Sequence, residues 1–523
     1  MRLPTDGTTM RGMYVDSAPR ISWLVATTRL YADDPTVRRR DAFALALTAY
    51  GVKADQTRIS RWESGSTHVP DKVIAGYGRA LGFEPGRLLT VAAGVRRSLD
   101  PRAPDGALTL GDLPDDRDLD AIVERIRQRR HTGLDWTRLA AVTETAGAPE
   151  LAPEIWLDLC DRLLRELIRS TRFSWVRRYE AARTLIRDPG SQRAMARSIG
   201  VLVTDPGTQA IEPVLSLLQE VEDPQVTDLL LRMLASPDAM VRRGAAWVTA
   251  ARLARGYVDA RALETLTGLL PRLLLRRDPP SLHSEAVDIV AALPGERADT
   301  LIAGLSGNGR ASELRNQVEW GELIAPDKSR RLAEVIAHAA ETALNTDQHV
   351  ESDQMLARLV REALVHVHRE RRHHASLLLA VSPYAPEISR NLLAGLAGQE
   401  PAVVARGLTL LTYLGAHEDT RGQLLTWSAH HPDLWLRRLA VIALAHLPEP
   451  LGADVERDLA DLALSGPTPM RATALYTLGR RHSRELDRIA ATGASHERER
   501  AAWWIEIGPM IDDEELRPFP ERS

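Results

Sequence analysis

The sequence predicts an all-α protein in which a small N-terminal domain of five helices precedes a long array of helical hairpins. Three observations lead to this fold class. Alanine and leucine dominate, while Phe and Tyr number only 4 and 9, and such a composition favours helix over sheet. Apolar residues recur at helical spacing in the first hundred residues. A short motif then recurs later in the chain at intervals of 32 and 34 residues, which indicates repeated hairpins.

Charge is distributed unevenly along this chain of 523 residues, which is too long for one ordinary domain. Residues 1–100 contain 15 Lys and Arg against 10 Asp and Glu, while the remaining residues contain 52 against 61. The N-terminal part therefore carries a net charge of +5 and the rest −9. This distribution is typical of a protein that contacts nucleic acid through its N-terminal domain alone.

Cysteine usage and hydropathy exclude several classes of protein. Cys160 is the only cysteine, which excludes an intrachain disulfide and a multi-cysteine metal site. No apolar run approaches the length of about 18 residues that a membrane span needs, and no signal peptide is recognisable. We expect a cytoplasmic, nucleoid-associated protein with no membrane partner, no metal and no cofactor.

Helical periodicity and stop signals divide the first 118 residues. Residues 1–19 are rich in Gly, Thr, Pro and Arg and are predicted to be a disordered N-terminus. A five-helix domain is expected over residues 20–95, with Leu45 on the apolar stripe of its second helix, and a Pro- and Gly-interrupted linker over residues 96–118. The expected helices cover residues 21–31, about 36–50, 56–64, 71–81 and 85–93.

The third helix is predicted to present hydrogen-bonding side chains to a partner. Asp55 suits an N-cap, and Gly65 can adopt the left-handed conformation that ends a helix. Ile59 and Trp62 are three residues apart and would both face the core. Amide and guanidinium groups can bond bidentately to adenine and guanine edges in the major groove. The candidate DNA contacts on this helix are Gln56, Thr57, Arg58 and Arg61 on bases and Ser60 on phosphate.

A known family is indicated by the run Ile59-Ser60-Arg61-Trp62-Glu63-Ser64-Gly65, by Pro70 and by Ala80-Leu81-Gly82. These residues resemble the phage-repressor-like (Xre/Cro) helix-turn-helix family, and the resemblance covers roughly residues 20–92. It implies a DNA-binding domain whose third helix reads an operator. It also implies that Glu63 is structural and pairs with an arginine of the first helix, for which Arg29 is the candidate.

Two further groups of residues could contact the DNA backbone. Arg38, Arg39 and Arg40 lie near the start of the second helix, where positive side chains would displace the counterions condensed on phosphates. A solvated run of charge explains these arginines equally well. Thr67 and His68 follow the third helix and are also candidates for backbone contacts.

The chain repeats beyond residues 119–150, which are expected to form a helical connector. Val241-Arg242-Arg243-Gly244-Ala245-Ala246 resembles the V-R-x-x-A-A signature of HEAT-type repeats, and Leu436-Arg437-Arg438-Leu439-Ala440 and Met470-Arg471-Ala472-Thr473-Ala474 repeat it. One hairpin cannot bury its apolar face alone, so neighbouring hairpins stack. The predicted bounds are 151–507 for a HEAT-like α-solenoid and 508–523 for a charged C-terminal tail.

Two other patterns are better explained by structure than by chemistry. His366, His368, His373 and His374 cluster, but no two of them are four residues apart, the spacing that lets a helical pair chelate one ion. A solvated, partly packed helix is expected instead. Gly76-x-Gly78 follows no strand and is predicted to be a packing feature rather than a nucleotide site. No nucleophile lies beside a base, so no enzyme is predicted.

The sequence therefore predicts a sequence-specific DNA-binding transcriptional regulator. Its helix-turn-helix domain would bind double-stranded DNA as a homodimer, since one short helix reads few base pairs. The acidic solenoid would bind a protein or peptide partner or a signal. One alternative is an interaction scaffold whose helix-turn-helix domain does not bind DNA. Another is a DNA glycosylase, because some HEAT-like proteins resemble alkylpurine DNA glycosylases, although the net charge of −9 on the body argues against it.

Overall fold

Helices make up all of the regular secondary structure in the residues that the computed structural model describes. These residues are 3–100, 118–144, 151–205, 207–236, 239–275, 280–305, 310–344, 352–447 and 449–511. Within them the fold is all-α, as the composition predicts. Extended backbone pairs there only in two isolated bridges, between Ser170 and Ile511 and between Glu322 and His366.

Five helices occupy residues 17–99, which we call the head. The first and fifth helices are longer than expected, and the second helix is shorter. The second helix starts later because Asp34 accepts hydrogen bonds from the backbone and hydroxyl of Thr36, which forms a turn there instead of a helix. The bounds are Ser17–Leu30 (α1), Arg40–Ala49 (α2), Gln56–Glu63 (α3), Asp71–Ala80 (α4) and Arg87–Leu99 (α5).

Further helices follow in the connector and in residues 151–507, which we call the array. The connector contains Leu119–Arg127 (α6) and Gly133–Thr143 (α7). The first part of the array contains Pro153–Arg169 (α8), Arg172–Arg187 (α9), Gln192–Thr204 (α10), Glu212–Leu215 (α11), a 3-10 helix at Ser216–Glu220, Pro224–Leu234 (α12), Ala239–Ala254 (α13), Ala260–Leu275 (α14), Pro280–Ala292 (α15), Gly295–Gly304 (α16), Arg310–Trp320 (α17) and Pro326–Leu344 (α18). The second part contains Gln354–Val365 (α19), Arg369–Val381 (α20), Ala385–Gly395 (α21), Pro401–Leu414 (α22), a 3-10 helix at Glu418–Thr420, Arg421–His430 (α23), Leu434–Leu444 (α24), Ala453–Ser465 (α25), Thr468–Arg480 (α26), Glu485–Thr492 (α27) and Ser495–Ile507 (α28).

A buried ion pair joins the first and third helices of the head. Arg29 of α1 donates to both carboxylate oxygens of Glu63, with Nη2 at 2.8 Å from Oε2. Tyr77 donates from α4 to the same carboxylate at 3.3 Å, and its ring packs edge-on against Phe43 of α2. Arg29 and Glu63 are both buried. The pairing implied by the family resemblance is therefore present, and it holds α3 against its neighbours.

The prediction that Leu45 lies on the buried side of α2 is wrong. Phe43, Ala44 and Leu47 are buried, whereas the side chain of Leu45 is 76% exposed. Spacing alone does not distinguish two overlapping stripes of apolar residues on one short helix. The partners decide, and here Phe43 packs on the Tyr77 ring.

α1 is buried on every side because it lies between the rest of the head and the array. Arg20 donates two hydrogen bonds of 2.7 Å to the carboxylate of Glu362 on α19. The indole of Trp23 donates to Asp353 at 2.7 Å and stacks on Tyr384 with ring centroids 6.2 Å apart. The head therefore packs directly on α19, α20 and α21.

The prediction of disorder over residues 1–19 is wrong for residues 3–16, which we call the N-terminal segment. This segment has no regular structure, but the array binds its backbone. Arg371 of α20 donates to the carbonyls of Thr9 at 2.9 Å and Gly12 at 3.0 Å. Composition could not reveal this order because the binding side chains lie more than 340 positions away along the chain.

The predicted linker at residues 96–118 begins too early. α5 continues to Leu99, and the buried Asp100 accepts a hydrogen bond of 2.6 Å from the hydroxyl of Ser17. Residues 96–100 therefore belong to the head. Residues 101–117 lie outside the described part of the chain.

One carboxylate holds the connector helices on the array. Glu166 of α8 accepts hydrogen bonds from His131 at 2.6 Å, from the Trp136 indole at 2.8 Å and from Arg178 at 2.8 Å. Burial alone would raise the pKa of the Glu166 carboxyl, but the hydrogen bonds from His131 and the charge of Arg178 lower it to about 2. Residues 145–150, at the end of the predicted connector, lie outside the described residues.

The repeated motif lies on helices that pack closely on their neighbours. Its copies fall on α13, α24 and α26, and Ala246, Ala440 and Ala474 are buried there. On α26 the approach is closest at Gly479, where a Cβ atom would lie 2.0 Å from the ring of Trp504. Small residues at these positions let one helix lie directly against the next.

The two ends of the array are joined. Arg480 of α26 donates to the carbonyl of Ile168 at 2.6 Å. The backbone of Ile511 accepts from Thr171 at 3.0 Å, so the predicted tail at 508–523 begins inside the fold. Residues 512–523 lie outside the described residues.

Replacing Glu362 with alanine is expected to lower the free energy of unfolding by about 3–5 kcal/mol, because Arg371 would lose its carboxylate in the interior and Arg20 would lose one of its two, keeping Asp6. Urea denaturation followed by circular dichroism measures the change. Arg457→Ala is the control, since this side chain is 59% exposed and pairs with the exposed Asp454, and it should change stability by no more than about 0.5 kcal/mol. Equal losses in the two variants would contradict the role of Glu362.

Candidate nucleic-acid interface

α3 is a short helix with a defined start and stop. The carboxylate of Asp55 accepts the backbone N–H of Arg58 at 2.7 Å, as an N-cap does. Gly65 ends the helix with a φ of +73°, which a residue with a side chain rarely adopts. Ile59 is fully buried and Trp62 is half-buried, so this side of the helix faces the head.

The opposite side of α3 is open to solvent. Gln56, Thr57, Arg58 and Arg61 are exposed, and Ser60 is half-buried. α3 packs on α1 and α2 of the head. The Arg58 guanidinium donates to the carbonyl of Lys53, in the turn before α3, at 3.2 Å. The structure thus brings the five side chains predicted on this helix together on one accessible surface.

The three consecutive arginines at the start of α2 occupy different environments. Arg39 has a side chain that is 75% exposed and pairs with Asp41. Arg38 donates to the carbonyl of Ala32 at 2.7 Å and so closes the loop that leads to α2. Arg40 contacts the buried carboxylate of Glu63 at 3.1 Å. Arg39 is therefore the member of this run whose charge extends furthest into solvent.

Thr67 and His68 are both exposed, just beyond α3. The backbone N–H of Thr67 donates to the carbonyl of Arg61, which folds this loop back against the end of the helix. The ring of His68 lies 3.4 Å from the guanidinium of Arg96. Partial burial and the Arg96 charge lower the pKa of His68 below 6.5, so it is mainly neutral at pH 7.

A close contact sets the position of the turn between α2 and α3. Val52 lies in this turn, and a Cβ atom at Gly76 of α4 would meet its Cγ2 at 2.7 Å. Only a glycine allows this approach. The Gly76-x-Gly78 pattern is therefore a packing feature at its first glycine, whereas a Cβ at Gly78 would meet no atom within 4 Å.

Arg20 and Trp23 hold the head on the array. The sequence prediction did not include this role, although a signal was present. The run from Ile21 to Leu30 has apolar residues around the whole helix. Such a helix is buried on all sides.

Three histidines of the cluster, His366, His368 and His374, are buried and His373 is half-buried, so the cluster is not solvated as predicted. α19 ends at Val365, so His366 lies in the turn before α20 rather than on a shared helix face. The His366 ring accepts the backbone N–H of His368 at Nδ1, and its Nε2 donates to the carbonyl of Met10 at 2.7 Å. Burial lowers the pKa of His366 well below 6.5. Within the cluster, His366 binds the N-terminal segment.

In comparisons with known proteins, no protein-family model and no curated protein matches the chain. In the part of the chain that the structure describes, no helix is both long enough and apolar enough to cross a membrane. Nor do the described residues contain a group of three His, Cys, Asp or Glu side chains placed to hold a metal ion. The interpretation of α3 therefore depends on the surface itself.

Gly76→Ala is expected to lower the free energy of unfolding by about 1–3 kcal/mol, because the added methyl group would displace Val52. Gly78→Ala is the matched control on the same helix and should be neutral or stabilising by up to about 1 kcal/mol. Urea denaturation of both variants measures the difference. Similar values for the two substitutions would show that the turn before α3 does not depend on this contact.

Proposed function

We propose that the protein is a sequence-specific DNA-binding transcriptional regulator whose head reads duplex DNA through α3. The observation that supports this most directly is the exposed surface formed by Gln56, Arg58 and Arg61 on a helix whose other side is fixed by the Arg29–Glu63 pair. The major groove accepts one α-helix, and these side chains are the types that bond bidentately to purines. Because the ion pair fixes the helix, little ordering is needed on binding.

Charge supports the same role for the head. Residues 1–100 carry a net charge of +5, while the remainder carries −9. A basic head would approach phosphates and an acidic body would not, so contact would be confined to the head. In this proposal Arg39 provides phosphate contact, with Thr67 and His68 bonding the backbone beside α3.

Two copies of the protein would bind together. One recognition helix contacts only a few base pairs, so a homodimer on two half-sites about 34 Å apart would supply the specificity of a regulator. The array would carry the surface for a protein or peptide partner. Arg38 and Arg40 have structural partners in the head and are secondary in this scheme.

Selection of duplexes from a random pool by the full-length protein tests this function. The wild-type protein should enrich a common sequence motif, and an Arg58→Ala/Arg61→Ala variant should lose it. Arg457→Ala, which removes an exposed arginine of α25, should enrich the same motif as the wild type. Enrichment of no motif, or of one that the double variant retains, would favour the scaffold alternative.

Arg58→Ala and Gln56→Ala should each cost on the order of 1–3 kcal/mol in binding to the selected duplex, the cost of one bidentate base contact. Each change should also relax the preference at a single base position. Fluorescence anisotropy with a set of single-base variants of the duplex measures both effects. A uniform loss at every base position would instead place these residues on phosphates.

Arg39→Ala should weaken binding to all duplexes by the same factor. It should also lower the slope of log Kd against log salt concentration by about the amount that one phosphate contact contributes. Titrations of the wild type and the variant at several salt concentrations give the two slopes. Parallel slopes would show that Arg39 does not contact phosphate.

A further inference from the structure

A small cavity lies where the head meets the array. α5 of the head forms one wall, and α9, α13, α20 and the 3-10 helix at Ser216–Glu220 form the others. Its volume is about 20 Å³. This is room for about one or two water-sized groups. Ser98, Trp175 and His373 line it and are only partly buried, so the cavity reaches solvent beside them.

Hydrogen-bond acceptors that have no donor among the described residues line this cavity. The carboxylate of Glu180 uses Oε1 to bind Arg97, but its buried Oε2 receives no hydrogen bond, and the nearest Arg183 nitrogen is 4.0 Å away. The amide of Gln219 donates to Tyr179 at 2.6 Å, while its buried Oε1 receives no donor. Unsatisfied buried acceptors cost free energy, and a ligand that donates hydrogen bonds would recover it.

A third acceptor in the cavity is a carboxylate that shares it with the guanidinium of Arg255. Glu370 of α20 is 91% buried, and its contact with the ring of His374 is 3.7 Å long. Burial raises the pKa of Glu370 against the charge of Arg255, and burial lowers the pKa of His374 well below 6.5, so the histidine is neutral at pH 7. The carboxylates of Glu180, Glu220 and Glu370 line the cavity together with the guanidinium groups of Arg97 and Arg255. Three negative charges against two positive ones favour a group that brings positive charge as well as hydrogen atoms.

We propose that this cavity binds the ammonium group of a small primary amine. An ammonium group is close to water in size, donates three hydrogen bonds and carries the charge that the carboxylates require. Trp175 and Tyr179, whose ring centroids are 4.9 Å apart, line the same cavity, and aromatic rings attract cations. The remainder of the amine would extend through the opening beside Ser98.

The walls of the cavity belong to both the head and the array. An amine bound there would bridge α5 to α9 and α20 and so stabilise the docked position of the head. Its effect on DNA affinity depends on the proposed function of α3, whereas amine binding itself does not. The two can therefore be measured separately.

Thermal unfolding of the full-length protein in methylammonium chloride tests the site. Tetramethylammonium chloride at equal ionic strength is the matched salt, since its cation has the same charge but no N–H donor. We expect the melting temperature to rise saturably with methylammonium and not with tetramethylammonium. The same response to both salts would overturn the proposal.

Glu370→Gln separates the site from a general salt effect. This variant should keep the wild-type fold, because the amide has the volume of the carboxylate and removes the cost of burying its charge, and its affinity for methylammonium should fall by about tenfold or more. Glu334→Gln on α18 removes an exposed carboxylate and should keep the wild-type response. An unchanged response in Glu370→Gln would overturn the site. If amine binds but leaves DNA affinity unchanged, only the coupling to α3 is lost.

Discussion

The contact between Arg20 and Glu362 determines how the two parts of this protein are assembled. Both side chains are fully buried, and the carboxylate also accepts from Arg358 and Arg371. Burial alone would raise the pKa of Glu362, but the charges of Arg20 and Arg371 hold it well below its usual range. A charge that stays ionised in the interior must keep its partners. The head therefore cannot leave the array without exposing or isolating several charges at once.

The same network of ion pairs determines which side of the head faces the array and which side faces solvent. α1 faces the array, and the N-terminal segment lies against α19 and α20 through Arg358 and Arg371. α3 packs within the head and leaves its donor-rich surface open to solvent. In the proposed regulator, an event in the array would reach the DNA-reading surface through α1 and α5, because these two helices contact both parts.

The candidate site was largely predictable because its determinants are local. Asp55 and Gly65 act within one turn of α3, and the outward side of that helix follows from the burial of Ile59. The roles of Arg38 and Arg40 were not predictable, since each depends on an acceptor contributed by another segment. The prediction of which side of α2 is buried was wrong for a related reason. Leu45 and Leu47 are both apolar, and only the packing of neighbouring helices decides which one is buried.

By itself, the sequence determined the all-α class, the order of the five head helices and the helices that carry the repeated motif. These features depend on helix propensity, capping and periodicity over a few residues. The tertiary structure alone decided the order of the N-terminal segment, the burial of the histidine cluster and the joining of the ends of the array. Each of these depends on bonds such as that between Arg20 and Glu362, 342 positions apart. A buried charge is stable only beside its partner, and no local pattern identifies a partner so distant along the chain.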